Sequence, residues 1–169
     1  MLYEIHSYFL DFIYILYHNT MAQSLSKVYI HLVFSTKNRI HLLPQEHLNE
    51  LHQHVREIIA MNDCVPIEVG GTTNHIHILY VQSKIQSMSQ SVRSFKMYSS
   101  KWVNQHTGRH DFSWQEGYGA FSISASHVEA VSEYIRNQAE HHKRVSFEDE
   151  FCRLCHLFNV KIDERYVWG

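Results

Sequence analysis

The hydrophobic period of this chain switches between two residues and about 3.6 residues in a fixed order, and that order limits the fold more than any single motif. Residues 27–35 alternate, with Val28, Ile30, Leu32 and Phe34 on one face and Tyr29, His31 and Val33 on the other, the pattern of a strand with one buried face. Pro44, welcome at a first helical position, opens a helix whose stripe is Leu48, Leu51, Val55, Ile58 and Ile59. A short strand follows at 65–69, stopped by Gly70-Gly71, and another at 75–82, with 70–74 as the turn between them. Residues 85–106 read as a long helix with the stripe Met88, Val92, Phe95, Ser99 and Trp102, and 120–124 as a fourth strand. Ser126 and Glu129 form a capping box for a helix running to about residue 142, and 146–158 forms a last helix. The order β-α-β-β-α-β predicts an α+β, ferredoxin-like (RRM-like) antiparallel sheet with helices on one face, the other face free, and additional C-terminal helices.

The chain of 169 residues is long enough for one domain with a real core, and 44% hydrophobic and 19% charged residues are ordinary for a globular protein. Cys64, Cys152 and Cys155 do not make a disulfide framework, which points to a reduced, cytoplasmic setting. No apolar run reaches the roughly 20 residues that span a bilayer. Residues 1–20 carry an apolar run without the flanks of a signal peptide, and Met21 begins a stretch that reads as a natural start. They are expected to be an N-terminal extension or a misplaced start, or a short helix packed on the domain, with 21–169 as the single domain.

Net charge is -2, yet residues 12–45 and 69–110 contain no acid, and Lys84, Arg93, Lys96, Lys101 and Arg109 fall in the second of these stretches. A basic face on a near-neutral protein fits nucleic acid, and charge scatter fits nearly as well. On the long helix Arg93, Lys96 and Lys101 are the candidate phosphate contacts. Aromatic residues such as Tyr29, Trp102 or Trp114 can stack on bases, although core packing is the commoner role for each.

His75 and His77 flank Ile76 in an apolar run, so on a strand both imidazoles share one face and can hold one divalent ion. Two hydrogen-bonded structural histidines give the same pattern. Tyr134 and Gln138 are four apart on the helix before residue 142, at the flank of its Val128, Val131, Ile135 and Ala139 stripe, so both can face a second element. A half-buried amphipathic tyrosine is the plain alternative. Cys152 and Cys155, with His141, His142 and His156 near, also raise a zinc site, though core packing of that helix is the simpler role.

With His75-Ile76-His77, Tyr134 and Gln138, and the supporting stretches 27–37, 117–124 and 134–143, the chain resembles the single-tyrosine transposases of the HUH superfamily, of the small insertion-sequence type, over about residues 22–158. The family often carries Asp before the first histidine, where this chain has Asn74. The resemblance implies that His75, His77 and Gln138 hold Mg²⁺ or Mn²⁺ and that Tyr134 attacks single-stranded DNA to form a 5′-phosphotyrosine and a free 3′-OH. It also implies DNA with hairpin ends as partner and a homodimer, with no nucleotide cofactor. The rival reading is a non-catalytic single-stranded nucleic-acid-binding module, or a domesticated, inactive relative.

Overall fold

The computed structural model describes residues 24–163, so the expectations for residues 1–20 lie outside the described residues. Four strands, β1 (Tyr29–Ser35), β2 (Val65–Thr72), β3 (His75–Val81) and β4 (Gly119–Ile123), form one antiparallel sheet in the order β2-β3-β1-β4. Helix α1 (Leu48–Met61) connects β1 to β2, and α2 (Met88–Thr107) connects β3 to β4. This is the predicted ferredoxin-like plan, with β1 and β3 central. After β4 come α3 (Val128–Arg136), the single turn α4 (Gln138–His141) and α5 (Phe147–Leu157).

Alternation on the two central strands builds two cores. Ile30, Leu32, Phe34, Ile76, Ile78 and Tyr80 point to the face covered by α1 and α2, and all are buried with Val55, Ile58, Val92 and Phe95. The opposite face, expected to be free, carries the C-terminal helices. There Val33 and Phe121 pack against Phe147, Phe151 and Cys155 of α5, and Leu154, Phe158 and Ile162 flank that cluster. The register places His31, Val33, His75 and His77 together on this second face, because Val33 pairs with His77 and Ser35 with His75. Strand periodicity therefore puts imidazoles where the C-terminal helices land.

Three local expectations change. The glycine pair does not stop β2; the strand runs on to Thr72, and only Thr73 and Asn74 make the turn to β3. Ser126 and Glu129 form no capping box: His127 is the N-cap of α3, and no side chain caps it. The box forms instead at the start of α2, between Ser87 and Gln90, and Gly108 ends that helix in a left-handed conformation at φ 65°. The tyrosine helix also breaks at Asn137, whose φ and ψ of -93° and 13° separate Arg136 from Gln138.

Gly70 lets α3 approach the sheet. A Cβ there would lie 2.6 Å from the Ile135 carbonyl oxygen and 2.9 Å from Ile135 Cγ2. Ion pairs hold the same contact from outside: Glu68 of β2 accepts from Arg56 of α1 and, at 3.0 Å, from Arg136 of α3. Gly70→Ala is expected to destabilise the fold by about 1–3 kcal/mol through overpacking, because the nearest atom is backbone. Thermal unfolding checks this; an unchanged melting temperature would mean that α3 is free to ride away from β2.

Candidate active site

The two strand histidines meet residues from all three C-terminal helices. His75 and His77 are 0% exposed and Gln138 is 1% exposed. His75 Nδ1 lies 2.7 Å from Asn74 Oδ1, and Thr72 Oγ1 donates to the same oxygen at 3.0 Å. The acceptors around Nδ1 place the His75 proton on that nitrogen, as one neutral imidazole carries only one N–H. Nε2 then presents a lone pair to Gln138 Oε1, 3.2 Å away. Asn74, in place of the more usual Asp, still supplies the acceptor that orients the ring; only the charge is lost. Its own amide is fixed by donating to the Arg39 carbonyl at 3.2 Å.

The residue that organises the site is Glu150 of α5, 3% exposed, which no sequence motif singles out. One carboxylate oxygen accepts from the Tyr134 hydroxyl and, at 2.9 Å, from Gln138 Nε2. The other accepts from His142 Nε2 at 3.0 Å and stands 3.3 Å from His77 Nε2. That last contact is not aligned as a hydrogen bond, and His77 Nε2 is a buried nitrogen with no hydrogen-bond partner. His77 Nδ1 faces His31 Nε2 at 3.0 Å. Tyr134 stands edge-on to both rings, its centroid 6.0 Å from that of His77 and 6.3 Å from that of His31. The tyrosine helix thus lies on its own chain's sheet.

Charge is distributed unevenly across this cluster. Burial would raise the Glu150 pKa, but the hydrogen bond from His142 and the adjacent His77 imidazole outweigh it and hold the carboxyl well below its usual range. His142 has acceptors on both nitrogens, the Val145 carbonyl at 2.8 Å being the second. Burial alone would lower its pKa, yet the Glu150 carboxylate outweighs burial and raises it. Burial, then the charge of Glu150, pushes the Tyr134 phenol above its ordinary value. Burial pushes His75 well below its ordinary value, with the neighbouring His77 and His142 adding to the effect.

His31, 2% exposed, is lowered to about 3 by burial and then by His77. A depressed imidazole pKa means that the unfolded chain binds the proton more readily. Its contribution to stability is full above pH 6.5 and is lost as pH falls below that value towards 3. From pH 7 to 5 the loss is about 2 kcal/mol in chelator-treated protein. His142 has the opposite sign, so the His31 part is isolated by comparison. Urea unfolding of His31→Gln is expected to show the shallower pH dependence by nearly one proton; equal slopes would refute the assignment.

The donor set fits a divalent ion. His75 Nε2 and Gln138 Oε1 bring two lone pairs face to face, and His77 Nε2 is left without a proton partner opposite a carboxylate. Ligand atoms of His75, His77, His142 and Glu150 all lie within 4.8 Å of one another. A cation between such acceptors removes the repulsion that protons leave unresolved. Among the described residues neither Cys152 nor Cys155 joins a cluster of metal-ligating groups, and Cys155 is buried in the second core.

The proposed phosphate contacts are elsewhere. Arg93 and Lys101 are exposed on α2, the helix on the other face of the sheet. The Lys96 ammonium donates to the carbonyls of Gln115, Glu116 and Gly117 at 2.9, 3.1 and 2.6 Å, and burial lowers its pKa to about 8. It clasps the loop before β4. No described helix is long and apolar enough to cross a membrane.

Comparison with known proteins bears on the fold and the family. None of the curated proteins matches the chain. Among solved structures, a Deinococcus radiodurans R1 protein assigned as a transposase superposes with a TM-score of 0.55 at 19% identity, covering 71% of this chain and 97% of its own. A REP-associated tyrosine transposase bound to a REP hairpin superposes with a TM-score of 0.51 at 14% identity, covering 75% of this chain and 76% of its own. At such identities the likeness shows the fold. The family profile described as Transposase IS200 like matches residues 24–138, from the start of the described fold to Gln138 at its site, and the chain therefore belongs to the IS200-like transposase family.

Proposed function

We propose that this transposase cuts and rejoins single-stranded DNA by transesterification, with Tyr134 as nucleophile and a divalent ion held by His75, His77 and Gln138. The observation that carries the reading is the shared carboxylate. The Tyr134 hydroxyl and the two strand histidines converge on Glu150 within one buried cluster.

Tyr134 Oη forms the new bond to phosphorus, and the bond from phosphorus to the 3′-oxygen breaks. The phenolic proton must leave Oη as it attacks, and Glu150 is the acceptor already in contact with it. The departing 3′-oxygen takes a proton from solvent. The 5′-phosphotyrosine keeps the energy of the phosphodiester, so a second 3′-OH can reverse the step and join strands without ATP. When bound, the ion supplies positive charge beside the scissile phosphate and favours the ionised phenol. Glu150 would be a further, anionic donor to that ion. Imidazole ligands favour Mn²⁺ and availability favours Mg²⁺.

The hairpin-bound relative supports DNA with hairpin ends as the substrate. Arg93 and Lys101 would then contact phosphates remote from Tyr134, and Lys96 would act by fixing the 115–117 loop. A homodimer belongs to the same proposal and is read by sedimentation.

The test incubates the full chain with labelled hairpin DNA from the flanks of its own gene, with Mg²⁺ or Mn²⁺, followed by a denaturing gel. A covalent adduct that chelator abolishes is the expected result. No adduct with either metal, on DNA the protein binds, overturns the enzymatic reading in favour of a binding module or an inactive, domesticated relative.

A further inference from the structure

A cavity of about 660 Å³ opens beside Tyr134, between the β4 edge, α3 and α5. Its walls are apolar: Ile123 of β4, Val131 of α3, and Leu154 and Leu157 of α5. Leu157, on this wall, is 71% exposed. Tyr134 and Glu150 close one end. Arg153 lines the same space, is exposed, and makes no ion pair or hydrogen bond among the described residues. By contrast Arg136, two residues past Tyr134 at the end of α3, is bound by Glu68 and Glu129 at 3.0 and 2.8 Å. The buried Nε2 of His141, also in this wall, lacks a hydrogen-bond partner.

We infer that this cavity is a nucleotide subsite, which takes the nucleoside next to the scissile phosphate of single-stranded DNA and binds a flanking phosphate through the Arg153 guanidinium. The inference rests on the transesterase reading of Tyr134. A phosphorus within reach of the Tyr134 hydroxyl has a nucleoside on each side, and Tyr134 and Glu150, the partner of its hydroxyl, both line this cavity. Its volume lies within the range of small-ligand pockets. Aliphatic walls suit a sugar and the face of a base, a sequence-tolerant grip. An unpaired guanidinium on the rim suits a phosphate, which it can hold with two parallel hydrogen bonds. An apolar peptide or a second copy of the chain would match the aliphatic wall but leave Arg153 unanswered. The subsite also gives α5 a double role, since that helix brings Glu150 to the nucleophile and Arg153 to the strand being cut.

Two variants leave the ligand cluster intact, Arg153→Ala and Leu157→Trp, the second filling the cavity from an exposed position. Methyl NMR spectra of the full chain are recorded with the dinucleotide d(TpT) up to millimolar concentration, and adduct rates and anisotropy affinities with the hairpin DNA. The dinucleotide is expected to shift the methyls of Val131, Leu154 and Leu157 in the unmodified protein, and those of Val131 and Leu154 at least tenfold more weakly in both variants. Adduct formation is expected to slow at least tenfold in both, with hairpin affinity within about threefold. If d(TpT) leaves these methyls silent, or both variants form adduct within twofold of the unmodified rate, the subsite is refuted. Methyl shifts in a protein that forms no adduct would uphold the subsite and refute the transesterase reading instead.

Discussion

Tyr134→Phe is expected to reduce the covalent DNA adduct to background, a loss on the order of 10³-fold or more, while hairpin binding stays within about twofold. The substitution removes one oxygen and leaves the ring, whose edge-on contacts with His31 and His77 position the helix. Glu150 keeps the Gln138 amide and the His142 imidazole as donors, so its carboxylate is not stranded. The stability cost is the loss of one hydrogen bond to a charged acceptor, on the order of 1–2 kcal/mol in a half-buried position. A large activity loss on a small stability loss separates a nucleophile from a packing residue. An adduct that persists in the phenylalanine variant would assign the attack to another hydroxyl.

Much of this site is written in local sequence, for a geometric reason. His75 and His77 share a face because a strand repeats every two residues, and the strand itself is evident from its apolar run. Tyr134 and Gln138 are also legible, but the helix expected to relate them is interrupted at Asn137. Their convergence on Glu150 comes from tertiary contacts, so helical spacing alone would have placed them imperfectly. The Ser126 and Glu129 pair shows the same limit: two residues at capping spacing are only candidates until the backbone enters the helix at that point.

Glu150 is harder to see in the sequence. It stands beside Glu148 and Asp149 in the first turn of α5, where acids are common because they complement the helix dipole. One signal does distinguish it. Phe147, Phe151, Leu154 and Cys155 define the apolar stripe of α5, and Glu150 falls on that stripe at helical spacing. A carboxylate there must have partners in the core, though only the fold reveals which ones. The match to the family profile ends at Gln138, before α5 begins, so it gives no guide to Glu150 or Arg153.

Glu150→Ala is expected to have the largest effect on the resting protein, lowering stability by about 3–5 kcal/mol in the presence of chelator. The alanine leaves the Tyr134 hydroxyl, Gln138 Nε2 and His142 Nε2 without their carboxylate acceptor. It also opens a void where α5 meets the sheet, and the two losses add. Mn²⁺ affinity, measured by calorimetry, is expected to fall at least about tenfold, because the site loses its anionic donor. Glu150→Gln separates the two roles. Its amide oxygen can still accept from Tyr134, so the fold should recover much of its stability, but it has no charge to offer a divalent ion. Stability restored without metal affinity would show that the buried charge is kept for the ion. Metal affinity unchanged in both variants would confine Glu150 to holding Tyr134, and the ion would then rest on His75, His77 and Gln138 alone.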